Sequence, residues 1–316
     1  MSTKRLYIVV PCYNEEAVLP ETAKRLREKV HTLMESGAVS SDSKVVFVDD
    51  GSKDATWSVI EGLHEQDPLF RGIRLSRNRG HQNALLAGLM TVKEECDVTI
   101  SMDADLQDDI DAIDAMMERY AAGIDVVYGV RSDRRKDSFF KKVTAEGFYK
   151  LMRAMGVETV YNHADYRLMS ARALQGLSGF TEVNLFLRGM VPMVGFPSDI
   201  VYYERGERFA GESKYPLKKM LHFAAEGITS LSIKPIRLIT SLGFFIFLVS
   251  IVTIIYSLVR YFTGHTIQGW TTTVLSVWAI GGLIMISLGV IGEYIGKIYL
   301  ETKERPRYLV QTYLKD

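Results

Sequence analysis

The chain has 316 residues, enough for one large domain or two smaller ones, with 38 basic and 38 acidic residues. That balance provides no global field for nucleic acid, so nucleic acid is not an expected partner. The two cysteines, Cys12 and Cys96, are far apart and lack metal-ligand spacing, which argues against a disulfide framework and for a reducing compartment.

Leu6 to Val10 is an apolar run too short for a signal-peptide core and reads as a buried first strand. In Pro11-Cys-Tyr-Asn-Glu-Glu16, Asn14 is placed to cap a following helix, with Glu15 and Glu16 in its first turn. Leu19, Ala23, Leu26, Val30 and Leu33 then repeat at helical spacing and give that helix one core face. Lys44 to Val48 is the second strand, ending in Asp49-Asp50-Gly51-Ser52-Lys53-Asp54, where Gly51 permits a tight turn. Asp49 also admits a plainer reading as a helix cap. Trp57, Ile60 and Leu63 fall on a second helix, and Gly72 to Ser76 forms a third strand. The basic loop Arg77 to His81 precedes a helix over Gln82 to Val92; His81 reads equally as a packing residue.

The fourth strand, Asp97 to Met102, delivers Asp103 and Asp105 to its C-terminal edge. Paired carboxylates at a buried strand end are costly unless a cation meets them. A hard divalent ion, Mg²⁺ or Mn²⁺, takes a few carboxylate oxygens and completes its shell with phosphate and water. Strands alternating with helices, each strand followed by polar residues, imply a mostly parallel, doubly wound α/β sheet with ligands beyond the strand C-termini. Four clusters converge there: 11–15, 49–54, 77–82 and 103–107. Neither G-x-G-x-x-G nor a P-loop pattern follows the first strand, which disfavours ordinary dinucleotide and P-loop sites.

Residues 109–122 read as a helix and Asp125 to Gly129 as a strand. Arg131, Arg134, Arg135 and Lys136 form either a solvated basic loop or a phosphate clamp. Phe139 to Met155 reads as helical. In Asn162 to Met169, Asp165 and Arg167 share one face of an extended segment. Arg188, in an apolar helix over Glu182 to Val194, reads as a structural ion pair. Tyr202 to Tyr215, with Arg205, Arg208 and Lys214, reads as a loop.

The excess hydropathy of the chain lies after residue 235. Leu217, Met220, Leu221, Ala224, Ile228 and Leu231 mark an amphipathic helix, with Lys218, Lys219 and His222 off that stripe, that is expected to lie on anionic lipid. Leu238 to Phe262 and Trp270 to Gly292 are each long enough to cross a hydrocarbon core of about 30 Å. Arg260, Tyr261 and Trp270 read as interface anchors, and Glu293 with Lys297 as a helix-end salt bridge. Lys297, Lys303, Arg305 and Arg307 against a single His265 in the turn place both termini in the cytoplasm. The expected division is a catalytic domain over 1–212, an interfacial helix over 213–235, a transmembrane hairpin over 236–296 and a cytoplasmic tail over 297–316.

A nucleotide site tied to a membrane hairpin joins a soluble donor to a lipid acceptor. The motifs Pro11-x-Tyr13-Asn14-Glu15, Val48-Asp49-Asp50-Gly51-Ser52-x-Asp54, Asn78-x-Gly80-His81-Gln82 and Asp103-Ala-Asp105-Leu-Gln107-Asp108 resemble those of family 2 glycosyltransferases. Asp165-Tyr-Arg167-Leu-Met, Gly211-x-Ser213-Lys214-Tyr215 and the paired C-terminal spans narrow the resemblance to polyprenyl-phosphate glycosyltransferases, which include bactoprenol glucosyltransferases and dolichol-phosphate mannose synthase.

The resemblance implies a GT-A fold and inverting, metal-dependent transfer of a sugar to undecaprenyl or another polyprenyl phosphate. UDP-glucose is the favoured donor and UDP-N-acetylglucosamine the next. It implies that Pro11, Tyr13, Asn14, Glu15, Asp50, Ser52, Asn78, Gly80, Gln82, Ala104 and Gln107 line the nucleotide-sugar site with Asp103 and Asp105. The two acids are the implied metal ligands, with Asp105 the more direct. Asp165 and Arg167 join them as implied catalytic residues, and Arg131, Arg205, Arg208 and Lys214 as phosphate or acceptor contacts. It further implies a bacterial inner-membrane enzyme, a dimer or tetramer, a downstream flippase and a glycosyltransferase that uses the lipid-linked sugar. A processive polysaccharide synthase would carry Gln-x-x-Arg-Trp and more spans, and a sugar-nucleotide pyrophosphorylase a Gly-rich basic first loop. A membrane-anchored nucleotide-binding scaffold would not need the acidic pair.

Overall fold

The computed structural model describes residues 3–132, 154–156, 163–204, 206, 227–263 and 269–315. Arg134, Arg135, Lys136, Arg205, Arg208 and Lys214 lie outside the described residues. So do most of the expected helix 139–155, most of the interfacial helix, the turn 264–268, and the side chains of Tyr261 and Trp270.

The elements in order are β1 (Leu6–Cys12), α1 (Leu19–Glu35), β2 (Lys44–Asp49), α2 (Thr56–Gln66), β3 (Phe70–Leu75), α3 (His81–Val92), β4 (Val98–Ser101) and α4 (Ala112–Ala121). They continue with β5 (Val126–Arg131), β6 (His163–Ser170), α5 (Ala171–Ser178), α6 (Leu187–Met193), β7 (Ser198–Tyr203), α7 (Lys234–Phe262), α8 (Trp270–Thr302) and β8 (Val310–Leu314).

The eight strands form one sheet in the order β7-β5-β6-β4-β1-β2-β3-β8. The β4-β1-β2-β3 block is parallel, as is β5-β7, whereas β6 runs antiparallel to both β4 and β5, and β8 to β3. The doubly wound half is thus as expected, and β6 turns the remainder into a mixed sheet. All seven residues of β1 are buried, because helices cover both sheet faces and leave no polar side to the strand. Core residues of α1, α2 and α4 (Leu26, Ile60, Met116) pack on one face. Those of α3, α5 and α6 (Leu85, Leu174, Met190) pack on the other. Gly88 lets α3 approach closely: a Cβ there would stand 2.5 Å from Val9 Cγ1 and 2.7 Å from Val48 Cγ2.

Helix α1 begins later than Asn14 would start it. Its N-cap position is Val18, without a side-chain cap, and Pro20 falls in its first turn. Asn14 instead takes a positive φ of 55° and accepts a hydrogen bond from Lys53 N at 2.9 Å. A short polar side chain tolerates that backbone conformation, so Asn14 joins two loops rather than capping a helix.

Both C-terminal helices outrun their expected limits. The first starts at Lys234 and the second continues ten residues past Gly292 to Thr302. Both carry windows long and apolar enough to cross a membrane, with none of those residues buried. Their feet contact the rest of the chain: Lys297 Nζ donates to Ser230 Oγ at 2.9 Å, and Tyr294 OH to Ser232 O at 2.5 Å.

The tail does not trail away. Strand β8 pairs with β3 in the register Gly72↔Leu314, Ile73↔Tyr313 and Arg74↔Thr312. The sheet therefore extends beyond the expected boundary at 212, and its eighth strand comes from beyond the hairpin. A polar clasp holds it. Glu95 accepts from Arg71 Nη1 at 2.6 Å, Lys315 Nζ at 2.8 Å and Tyr313 OH at 3.3 Å. Burial alone would raise the Glu95 carboxyl, but the hydrogen bonds from Lys315 and Arg71 outweigh it and hold it below its ordinary value. The clasp's contribution is therefore complete above the unfolded carboxyl value of about 4.3 and fades as pH falls through the folded one. Glu95→Gln is expected to cost about 1–3 kcal/mol at neutral pH. Melting of the full chain in detergent checks this: the gap to wild type should narrow below about pH 4.

Candidate active site

The first three strand-edge loops lock together through their own polar atoms. Asn14 N donates to Ser52 Oγ at 2.9 Å, and Glu15 N to Thr56 Oγ1 at 2.8 Å. Asp50 uses both carboxylate oxygens on the next loop, accepting from Arg79 N at 2.7 Å and Gly80 N at 2.8 Å. Burial pushes its carboxyl up, against the pull of those two backbone donors. Gly51 makes the close approach possible. It has a positive φ of 67°, and a Cβ there would lie 2.7 Å from Asn78 N. Asp49 accepts from Ser52 N at 3.0 Å, so it closes its own turn rather than capping a helix.

Of the expected nucleotide-sugar residues, Tyr13 is 40% exposed at the loop tip, while Pro11 is buried within β1. Asn78 is exposed and accepts from Gly80 N at 3.2 Å within its own loop. Ala104 is buried, and its carbonyl accepts from Thr22 Oγ1 at 2.8 Å, which fixes the acidic turn against α1. Gln82 is directed elsewhere: its Oε1 accepts from Leu187 N at 2.8 Å and supports the loop before α6.

The acidic turn carries Asp103, Asp105 and Asp108 within six residues, with Leu106 at a positive φ of 58°. Asp105 Oδ1 accepts from Gln107 N at 3.2 Å, and Gln107 is buried. Asp108 accepts from Tyr203 OH at 2.5 Å and lies 3.6 Å from Arg131, which donates to the same tyrosine at 3.2 Å. Arg131 therefore stands beside the acids, paired with Asp108. Burial pushes the Asp108 carboxyl up, while Tyr203 and Arg131 oppose the rise. Asp108 Oδ2 is nevertheless buried with no hydrogen-bond partner among the described residues. Burial pushes Asp103 up to about 6, eased by His81 and reinforced by Asp108, Asp165 and Asp105.

Asp165, on β6, faces the acidic turn but is held differently. Arg167 lies 3.0 Å away, Arg188 3.2 Å and His81 3.4 Å. Burial opposes its charge, yet Arg188, His81 and Arg167 together hold its carboxyl well below the usual carboxylate range. Arg167 is only 2% exposed and also reaches Leu187 O at 3.4 Å, so it stands behind Asp165 and braces it. His81 bridges the two acids, 3.5 Å from Asp103 on its other side. Burial disfavours its protonation, but the bond to Asp165 and the charge of Asp103 outweigh that and raise it.

The strand edges thus bring Asp50, Asp103, Asp105, Gln107, Arg131 and Asp165 to one end of the sheet, with Tyr13 exposed at a loop tip. His81 and Arg188 join this cluster through Asp165. The basic loop and the motif Asn78-x-Gly80-His81-Gln82 were the local signals for His81. Arg188 is the ion pair its setting implied, but nothing in the sequence identified Asp165, 23 residues away, as its partner.

Crowded carboxylates, one pushed up to about 6 and another with a buried unpartnered oxygen, fit a divalent cation. Among the described residues no three His, Cys, Asp or Glu side chains form a closed metal cage. A cation there would take carboxylate oxygens from this turn and complete its shell with donor phosphates and water, the usual arrangement for a hard ion on a nucleotide.

Residues 7–177 match the family described as glycosyl transferase family 2, and residues 234–298 match the GtrB C-terminal hairpin. The uncharacterized glycosyltransferase YkoT of Bacillus subtilis is 52% identical over 96% of this chain and 90% of that protein. The bactoprenol glucosyl transferase of Shigella phage SfX is 39% identical over 98% of this chain and 99% of that protein. The prophage bactoprenol glucosyl transferase homolog of Escherichia coli is 39% identical over 97% of this chain and 98% of that protein. With a strand-edge acid site, a matching hairpin and near-full-length relatives, the chain belongs to glycosyl transferase family 2, as a membrane-associated member with the GT-A fold.

Proposed function

We propose that this glycosyltransferase moves glucose from UDP-glucose to undecaprenyl or a related polyprenyl phosphate, with inversion, at the cytoplasmic face of a bacterial inner membrane. The observation that carries the reading is one chain in which a carboxylate-lined strand edge and an apolar hairpin are joined at both hairpin ends. Strand β8, after the hairpin, pairs in the same sheet as β1, before it. Both hairpin ends therefore return to the same side. The basic residues Lys234, Arg237, Lys303, Arg305 and Arg307 flank those ends, which supports cytoplasmic placement. Relatives named for bactoprenol glucosyl transfer support glucose ahead of N-acetylglucosamine.

On this reading Tyr13 and Glu15 border the base and ribose, while Asp50 keeps the 77–80 loop closed over them. Asp103 and Asp105 would hold Mg²⁺ or Mn²⁺, which neutralises the leaving nucleoside diphosphate. Asp103, Asp105 and Asp165 offer negative charge beside the oxocarbenium-like sugar. The acceptor attacks from the opposite face, with Arg131, Arg205, Arg208 and Lys214 as candidate phosphate partners. A phosphate monoester has a second pKa of about 6 and is largely anionic at neutral pH, so a strong base is not required. An Asp165 carboxyl held well below its usual range is a weak base. Its role is to orient His81 and Arg188 and the acceptor beside them. A dimer or tetramer assembled through the hairpin, a flippase and a glycosyltransferase that uses the lipid-linked sugar complete the proposal.

Purified chain in lipid, with undecaprenyl phosphate and Mg²⁺ or Mn²⁺, should convert UDP-glucose to a chloroform-soluble glycolipid. EDTA and Asp105→Ala should each abolish the product. UDP-N-acetylglucosamine, UDP-galactose and GDP-mannose, tested separately, should give little. Product from another donor would reassign the sugar; none from any donor, despite nucleotide binding, would remove the lipid-phosphate reading. Asp165→Asn keeps a carbonyl acceptor and should retain turnover within about tenfold, whereas Asp165→Ala should lose most of it. Equal loss in both, with donor binding intact, would give Asp165 a base or charge role.

A further inference from the structure

Helix α6, which carries Arg188, is held by both feet of the hairpin. On one side, Phe186 packs with Ile228 and Leu231, just before α7. A Cβ at Gly189 would lie 2.1 Å from Leu231 Cδ1, so α6 has been drawn tightly against that segment. On the other side stands Glu301, at the end of α8. Its carboxylate accepts from Val183 N at 2.8 Å and from Asn184 N at 2.9 Å. It also accepts from Asn184 Nδ2 at 3.0 Å. The loop 183–187 is thus suspended between Glu301 on the apolar helix and Gln82 on α3, which takes Leu187 N. Arg307 secures the preceding turn by donating to Phe180 O at 3.0 Å.

We propose that Glu301 is a positioning residue for the transfer reaction: it fixes the loop before α6, and so places Arg188 against Asp165 according to how the hairpin is seated. The inference rests on the function proposed above. Three bonds to one carboxylate are charge-assisted and directional. Two of their donors are main-chain N–H groups, so the tie fixes backbone rather than a mobile side chain. From Leu187 the chain enters α6 at once, and the next residue is Arg188. Its guanidinium reaches Asp165 at 3.2 and 3.3 Å, and Asp165 is in turn 3.4 Å from His81. Helix α8 is continuous from the apolar segment to Glu301. A rigid rod seated in lipid therefore ends on the loop that sets a charged residue of the active site.

The test uses the full chain in lipid nanodiscs as wild type, Glu301→Ala and Glu301→Gln. Amide hydrogen exchange reads the positioning directly, without any substrate. In Glu301→Ala, exchange should quicken about tenfold through 182–193, including α6, and Glu301→Gln should recover much of the protection because one carbonyl acceptor remains. Faster exchange confined to 182–184, with α6 unchanged, would reduce Glu301 to a local cap and overturn the proposal.

Turnover supplies the second reading. In Glu301→Ala, kcat for glycolipid formation should fall about tenfold while the donor KM stays within about twofold. Arg188→Lys added to Glu301→Ala should slow the enzyme little further, because both changes break one connection. Additive losses would mean that Glu301 acts elsewhere and would overturn the proposal. Wild type that makes no glycolipid would remove the proposed function and leave the exchange result to decide the role of Glu301. If Glu301→Ala does not fold, Glu301→Gln carries both measurements, with loss of the Val183 bond as its expected defect.

Discussion

The catalytic end of this fold depends on the balance of charge around Asp165. A carboxylate that is largely removed from water is tolerable only if cations meet it, and here three do so from three different elements. Arg167 comes from the same strand, His81 from the start of α3, and Arg188 from α6. Each is placed by a separate packing decision: the pleat that puts alternate residues of β6 on one face, the close seating of α3 over Gly88, and the suspension of the loop before α6. Among the described residues, Asp103 has His81 at 3.5 Å, and Asp108 has Tyr203 at 2.5 Å and Arg131 at 3.6 Å. One acid is thus held by three cations of the protein's own, while its neighbours crowd one another at the strand edge.

The parallel half of the sheet was legible because its strands are apolar along their whole length and end abruptly in polar clusters. The convergence of 11–15, 49–54, 77–82 and 103–107 followed from topology alone. Less legible was the use each polar residue makes of its atoms. Asn14 looked like a cap and became a loop tie, since a left-handed backbone leaves no trace in composition. Gln82 looked like a donor contact and instead holds a main-chain N–H more than a hundred residues away. Long-range pairs such as Arg188 with Asp165 have no local signature, because either residue alone is consistent with many partners.

Strand β8 shows a second limit of pattern reading. Val310-Gln-Thr-Tyr-Leu314 alternates only loosely, and it follows two helices whose apolar character dominates that end of the chain. Its place in the sheet is fixed by partners that lie far back in the sequence, Gly72 to Leu75 across the ladder and Glu95 at the clasp. The hairpin is consequently an insertion within the sheet's connectivity rather than an appendage, and its two feet bear on the residues that hold α6.

This connectivity also governs the order in which the protein can be completed. Arg71 and Tyr313 are 242 residues apart in sequence, yet they meet across the outermost ladder. Until residues 310–314 have been synthesised, β3 presents an unpaired edge, and pairing that edge is slow because the intervening chain must first be ordered. Both apolar helices lie in that interval. On the ribosome, the hairpin must therefore emerge before the outer edge of the sheet is sealed. The two apolar helices thus emerge first, and β3 keeps an open edge until the last strand of the sheet has been made.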